Sequence, residues 1–178
     1  MTVNPALYRQ LMSQFASGVV ILTLRQGDFC HGITVSSFCF LSMEPPQILV
    51  CINQNSYFLS LLEQSEYFGV NILDENGAEL SRHFATRSLT KFTTVPYFSG
   101  QSGVPLLTEA VATMECRLAD RFPGGDHLIL TGDVLHAGMD QFSQPLIYFR
   151  REYSQLRRGT LIEDSLVASP FVTSRPGN

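Results

Sequence analysis

Three hydroxyl residues, Thr34, Ser36 and Ser37, fall within four positions at the end of a strand-like run and just before a bend. Side-chain and backbone donors can there face one ligand together. A second polar segment, Asn53-Gln54-Asn55-Ser56, joins a strand-like run to a helix-like one. Ser56 is expected to cap that helix, and a cap lies where an anion also binds. Arg82, next to Ser81, and Lys91 are cations able to make charge-assisted hydrogen bonds. Gly125-Asp126-His127 presents an imidazole at a tight turn, where it can exchange donor and acceptor roles near neutral pH. All of these groups bind or polarise. The chain has no Gly-x-Ser-x-Gly elbow, no metal-binding helix motif and no Gly-x-Gly-x-x-Gly after a strand. Nucleophilic hydrolysis, metal catalysis and a Rossmann nucleotide site therefore lack support. Each group also has a plainer reading, as a Ser/Thr turn, a helix cap, a solvated arginine or an idle turn histidine. His83 reads as a surface residue, and His31 and His136 belong to no motif.

These side chains are expected on a mainly β scaffold. Asn4-Pro5 should start an amphipathic helix over 5–15, with Leu7, Leu11, Met12 and Phe15 along one face. Gly18–Leu24 reads as a strand buried on both faces, and Gln26-Gly27-Asp28 turns it into a hairpin partner, Phe29–Val35. A strand over Ile48–Ile52 follows. Helices are expected at Ser56–Gln64 and Asn76–Phe84, capped by Ser56 and Asn76, around a strand at 67–72. Residues 93–105 carry two prolines and two glycines and read as a surface loop. Long strands near Ala110–Phe122 and Leu128–Ala137 flank the turn Pro123–Asp126, and Pro145–Phe149 forms a short last strand. The hairpins and flanking helices point to an antiparallel barrel with helices at its side.

The 178 residues suffice for one domain, expected over 1–158, with a tail at 159–178 that is either disordered or packed on a partner subunit. A net charge of −4 gives no electrostatic case for nucleic acid or an anionic membrane. The apolar runs are short of a membrane span, and Met1–Gln10 lacks a signal-peptide pattern, so a cytoplasmic location is expected. Cys30, Cys39, Cys51 and Cys116 form no Cys-x-x-Cys pair or metal spacing and read mostly as small buried hydrophobes.

Several motifs together carry a resemblance. They are Phe15-Ala16-Ser17-Gly18-Val19, Gly32-x-Thr34-x-Ser36-Ser37-Phe38, Pro45-Pro46-x-x-Leu49-Val50, Leu80-Ser81-x-x-Phe84-Ala85, Lys91-Phe92, Gly125-Asp126-His127 and Pro145-Leu146-x-Tyr148 with Tyr153. On these motifs the chain resembles the flavin reductase-like family over residues 7 to about 156. The resemblance implies a split β-barrel, usually a homodimer, that binds FMN or FAD and takes a hydride from NADH or NADPH. It implies flavin contacts from Thr34, Val35, Ser36, Ser37, Asn53, Gln54, Asn55, Ser56, Ser81, Arg82, Phe84, Ala85 and Lys91. It also implies nicotinamide-side contacts from His127, Tyr148 and Tyr153, with His127 the catalytic candidate. Such reductases supply reduced flavin to a separate oxygenase. A flavoprotein that retains its flavin as carrier or oxidase, and a non-enzymatic flavin-binding module, are the alternatives. The chain departs from the family pattern twice. The 53–56 segment lacks a charged residue, and a family glycine is replaced by Arg151 or Glu152, depending on register.

Overall fold

The computed structural model describes residues 3–140 and 143–156, so the 159–178 segment lies outside the described residues. Asn4 caps helix α1 (Pro5–Met12), its side-chain oxygen accepting the Ala6 amide at 2.8 Å. The helix stops three residues short of the expected end, because the Gln14 and Phe15 amides bond back only three residues and tighten the last turn. No residue of α1 is buried. The chain continues through β1 (Ser17–Gly18), β2 (Val20–Gln26), β3 (Phe29–Val35), β4 (Phe38–Met43) and β5 (Pro46–Asn53). After α2 (Tyr57–Leu62) come β6 (Tyr67–Leu73) and α3 (Ala78–Ala85). The expected cap of α3 shifts from Asn76 to Gly77, since the Asp74 carboxylate takes both the amide and the side chain of Asn76. A 3-10 turn at Lys91–Thr93 leads to β7 (Tyr97–Ser99) and β8 (Pro105–Leu107), a small hairpin inside the segment expected to be loop. Long strands β9 (Ala110–Gly124) and β10 (His127–Met139) follow, then β11 (Ile147–Phe149) and β12 (Glu152–Ser154).

Seven strands form one antiparallel sheet in the order β3-β2-β6-β9-β10-β5-β4. Its two edge strands, β3 and β4, are consecutive in sequence and joined only by Ser36 and Ser37. Two residues bridge at most about 11 Å, so the sheet must roll until its edges meet at that link. The bend extends the β4–β5 pairing by one residue, with the Cys51 amide donating to the Ser37 carbonyl and the Cys51 carbonyl accepting the Ser37 hydroxyl. Bulges at Phe40/Ser42, Ile72/Leu73, Thr131/Gly132 and Val134/His136 supply the curl. Gly132 is needed at one of them, because a Cβ there would stand 2.7 Å from the Phe68 ring.

The interior is aliphatic, built on Leu22, Leu24, Val50, Val70 and Leu130, and closed at one end by Phe58 of α2 and by Phe68. Burying a side chain the size of Phe58 is worth roughly 2–3 kcal/mol. A second cluster, with Ile21, Leu73, Phe84 and Leu146, seats α3 against the outside of β2. Asn71 is fully buried between them; its amide donates to the Ile21 carbonyl and the Thr23 hydroxyl, and its oxygen accepts the Leu107 amide. That pins β8 to the sheet with no buried polar atom of Asn71 unused.

Candidate functional site

The hydroxyl-rich link at the seam is where the sequence motifs meet. Thr34, Val35, Ser36, Ser37, Asn53, Ser56, Phe84, Ala85 and His127 line one open cleft of about 450 Å³. Ile33, Cys51, Ile52 and Thr86 complete its walls. A recess of about 220 Å³ shares Thr34, Val35, Ser36 and Ala85 and adds Ser81, Tyr148 and Tyr153. The recess joins the C-terminal hairpin to the seam, although some 110 residues separate the two in sequence.

The three hydroxyls are not equivalent. Thr34 Oγ1 donates to the Ser81 carbonyl at 2.7 Å, and Ser37 Oγ donates to the Cys51 carbonyl at 2.6 Å. Their protons are spent on the fold, which leaves oxygen lone pairs toward the cleft. Ser36 is exposed and has no hydrogen-bond partner among the described residues, so it keeps a free donor. Ser56 stands at the cap of α2 as expected, but its side chain makes no capping bond and also remains free to donate. Ser81 is fully buried and shares a 2.7 Å bond with the Tyr153 hydroxyl.

His127 opens β10 opposite Gly124, and a two-residue turn, Gly125-Asp126, joins the strands. Gly125 has φ +69, the left-handed conformation that a tight hairpin demands at this place. Asp126 Oδ1 lies 2.7 Å from His127 Nδ1. A carboxylate only accepts, so Nδ1 carries the proton, and Nε2 is left without a partner among the described residues. The same bond holds the Asp126 carboxyl below its ordinary range. Gln54 does not line the cleft. Its amide nitrogen binds the Gly125 and His127 carbonyls at 3.0 and 3.4 Å, and its backbone amide binds Asp126, so it straps the turn that aims His127.

The two expected cations lie away from the cleft. Arg82 is exposed, paired with Glu79, and stacks 5.0 Å from the Tyr153 ring centre. Lys91 is only 2 % exposed, and its ammonium donates to the Gly32 and Phe84 carbonyls at 2.8 Å each. Burial lowers its pKa to about 8, so it is still charged at neutral pH and ties α3 to β3. Its backbone carbonyl meets His83 Nε2 at 2.8 Å, which makes His83 half-buried instead of a free surface group. Lys91 and Asn55 border a neighbouring cavity of about 520 Å³ that adjoins Ser56 and contains Arg87. Arg87 was not among the sequence candidates. Its signal was its place two residues beyond the Leu80–Ala85 motif, where the chain leaves α3 toward the cleft.

A flat heterocycle bearing a polar chain and a phosphate fits this donor set. Ile33, Val35, Ile52 and Phe84 give apolar walls, while Ser36, Asn53 and Ser56 add polar groups. The family model described as "Flavin reductase like domain" matches residues 12–157. A "Flavin reductase (NADH)" from Kitasatospora aureofaciens is 36% identical, over 83% of this chain and 80% of that protein. The reductase component of a 4-nitrophenol 4-monooxygenase/4-nitrocatechol 2-monooxygenase from Rhodococcus opacus is 35% identical, over 84% and 80%. Among solved structures, the Streptomyces globisporus NADH:FAD oxidoreductase in complex with NAD and FAD fragments superposes with a TM-score of 0.82. It is 30% identical and covers 92% of this chain and 99% of that one.

Proposed function

The chain belongs to the flavin reductase-like family, and on that premise we propose that it is an NAD(P)H-dependent flavin reductase whose reduced flavin serves a separate monooxygenase. The observation that carries this reading is the seam cleft, where Thr34–Ser37, Ser56 and the Asp126–His127 turn converge on one volume. A flavin held there supplies the ring that accepts a hydride, so the chain's own contribution is geometry and polarity. Ser36 and Ser56 offer the free hydroxyl donors, and Phe84 with Ile52 walls the ring. Arg87, from the adjoining cavity, is the group suited to the phosphate end. His127 Nε2, with the opposite nitrogen fixed by Asp126, is placed to hold a hydrogen bond at the nicotinamide side. Tyr148 and Tyr153, 5.5 Å apart between ring centres, form the apolar back of the recess.

The working form in this proposal is a homodimer. Leu7, Tyr8 and Leu11 of α1 and Phe40, Leu41 and Met43 of β4 are exposed, Phe40 at 65% and Met43 at 72%. Apolar area of this extent on an antiparallel edge and an unburied helix calls for a partner surface. Among the described residues no helix is long and apolar enough to cross a membrane; in this proposal the protein is cytoplasmic and meets its oxygenase transiently. Mixing NADH with FMN or FAD under anaerobic conditions tests the chemistry directly. The protein is expected to speed the bleaching of flavin colour, and an unchanged rate with both flavins would contradict the assignment.

A further inference from the structure

Two walls of the seam cleft are tied together by a side chain that lines neither of them. Residues 33–37, the end of β3 and its bend, form one wall, and residues 84–86, the end of α3, form another. Lys91, in the 3-10 turn beyond α3, donates from its ammonium to the Gly32 carbonyl and to the Phe84 carbonyl, at 2.8 Å each. Both acceptors need a donor from outside their own element. β3 is an edge strand, so carbonyls on its outer side find no strand amide. Phe84 lies in the last turn of α3, where carbonyls have no helical amide left and a cation meets the negative end of the helix.

The surroundings keep this tie close and charged. A Cβ at Gly32 would stand 2.9 Å from the Phe84 ring, so glycine lets α3 approach β3 to this depth. The Lys91 turn is itself seated on α3, through His83 Nε2 on the Lys91 carbonyl and through the Phe92 ring, edge-on to Phe84 at 5.2 Å. The titratable and charged groups around the ammonium are His31 on β3, His83 on α3, Tyr57 on α2 and Arg87 beyond α3. No carboxylate lines the cavity that Lys91 borders. Two carbonyls, with no counter-ion, therefore hold the buried charge.

We propose that Lys91 is a positioning residue for the flavin: its ammonium fixes the spacing between β3 and the end of α3, and so the width of the cleft, without touching the ligand. The assignment rests on the flavin reductase reading of that cleft. Gly32 stands two residues before Thr34, and Phe84 is itself a wall, so both bonds act on ligand-facing backbone. Without the donors, two buried carbonyls lose their partner, and α3 relieves its own by moving out toward water. The Phe84 wall then moves away from Ile33 and Val35.

The test is Lys91→Met, which keeps an unbranched apolar stem and removes the donors. Kd for FMN and FAD is measured by flavin fluorescence on both proteins, well below the melting temperature of each. At pH 7 the Kd of the better-bound flavin is expected to rise about tenfold in the variant. A lysine that only supported the fold would lower the melting temperature and leave Kd unchanged. The parent alone gives a second readout, which stands even if the variant does not fold. Lys91 loses its proton as the pH rises through about 8, and its bonds then lose their charge assistance. The parent's Kd should therefore rise severalfold between pH 7 and pH 9, while the variant's stays level. Equal Kd values for the two proteins at pH 7, or a level Kd in the parent across that range, overturn the proposal and leave the reductase reading standing. A parent that binds neither flavin removes the reductase reading, and this role of Lys91 with it.

Discussion

His127 acts in this account through one nitrogen, and Asp126 decides which. Removing the imidazole should cost about one hydrogen bond at the reacting complex, roughly 1.4 kcal/mol or tenfold in rate. His127→Ala is therefore expected to slow single-turnover reduction about tenfold with little change in FMN affinity, and an unchanged rate would remove His127 from the reaction. His31 makes a different prediction. It is 4% exposed, among the Phe29, Tyr57 and Phe58 rings, and burial, reinforced by nearby Lys91, lowers its pKa to about 4. A base that is harder to protonate when folded leaves the unfolded chain binding more protons. Stability contributed by neutral His31 is thus complete above pH 6.5 and lost as the pH falls toward about 4. The shift corresponds to a loss on the order of 3 kcal/mol. Melting temperature followed down from neutral pH should drop less steeply in His31→Phe than in the parent, most clearly above the carboxylate range. Parallel curves would show that His31 does not titrate as described.

At the scale of elements, the β11–β12 turn holds two arginines in left-handed conformations, each costing about 1 kcal/mol. Arg151→Gly alone should raise unfolding free energy by about 1 kcal/mol in a urea titration, and a destabilised variant would mean that the Arg151 side chain supports the fold. Sequence reading could not see this, because the departure from the family pattern left the register between Arg151 and Glu152 open. Elsewhere the strands were readable wherever one feature dominated: the β-branched run in β2, or the Gly-Asp turn between β9 and β10. Residues 93–105 misled because Pro and Gly there mark the turn of a short hairpin, pinned from outside by Asn71. The site residues were legible as motifs, but their duties were not. Whether Thr34, Ser37 and Gln54 donate to a ligand or to a carbonyl depends on what packs beside each (α3, β5 and the β9–β10 turn), and no local pattern encodes that. Lys91 looked like a phosphate ligand because burial of its ammonium is visible only once α3 packs on β3.

For the whole molecule, the rolled sheet brings its two edges together at Ser36–Ser37, so closure of the fold and construction of the cleft are one event. The apolar side chains left outside, on α1 and β4, argue for a second copy. Light scattering should give twice the 19.8 kDa of one chain, and Leu11→Glu/Phe40→Glu should shift it toward a single chain. A parent protein that scatters as one chain would refute the dimer. The chain has no tryptophan, so flavin emission can be followed with little protein background. The central claim is that the protein reduces a flavin it then releases, and steady-state NADH oxidation with FMN and FAD each titrated from zero tests it most directly. No turnover is expected without added flavin, and the rate should saturate as flavin is added. A protein that purifies with its flavin and oxidises NADH at a rate indifferent to added flavin, or one that binds flavin and oxidises no NADH, would contradict it.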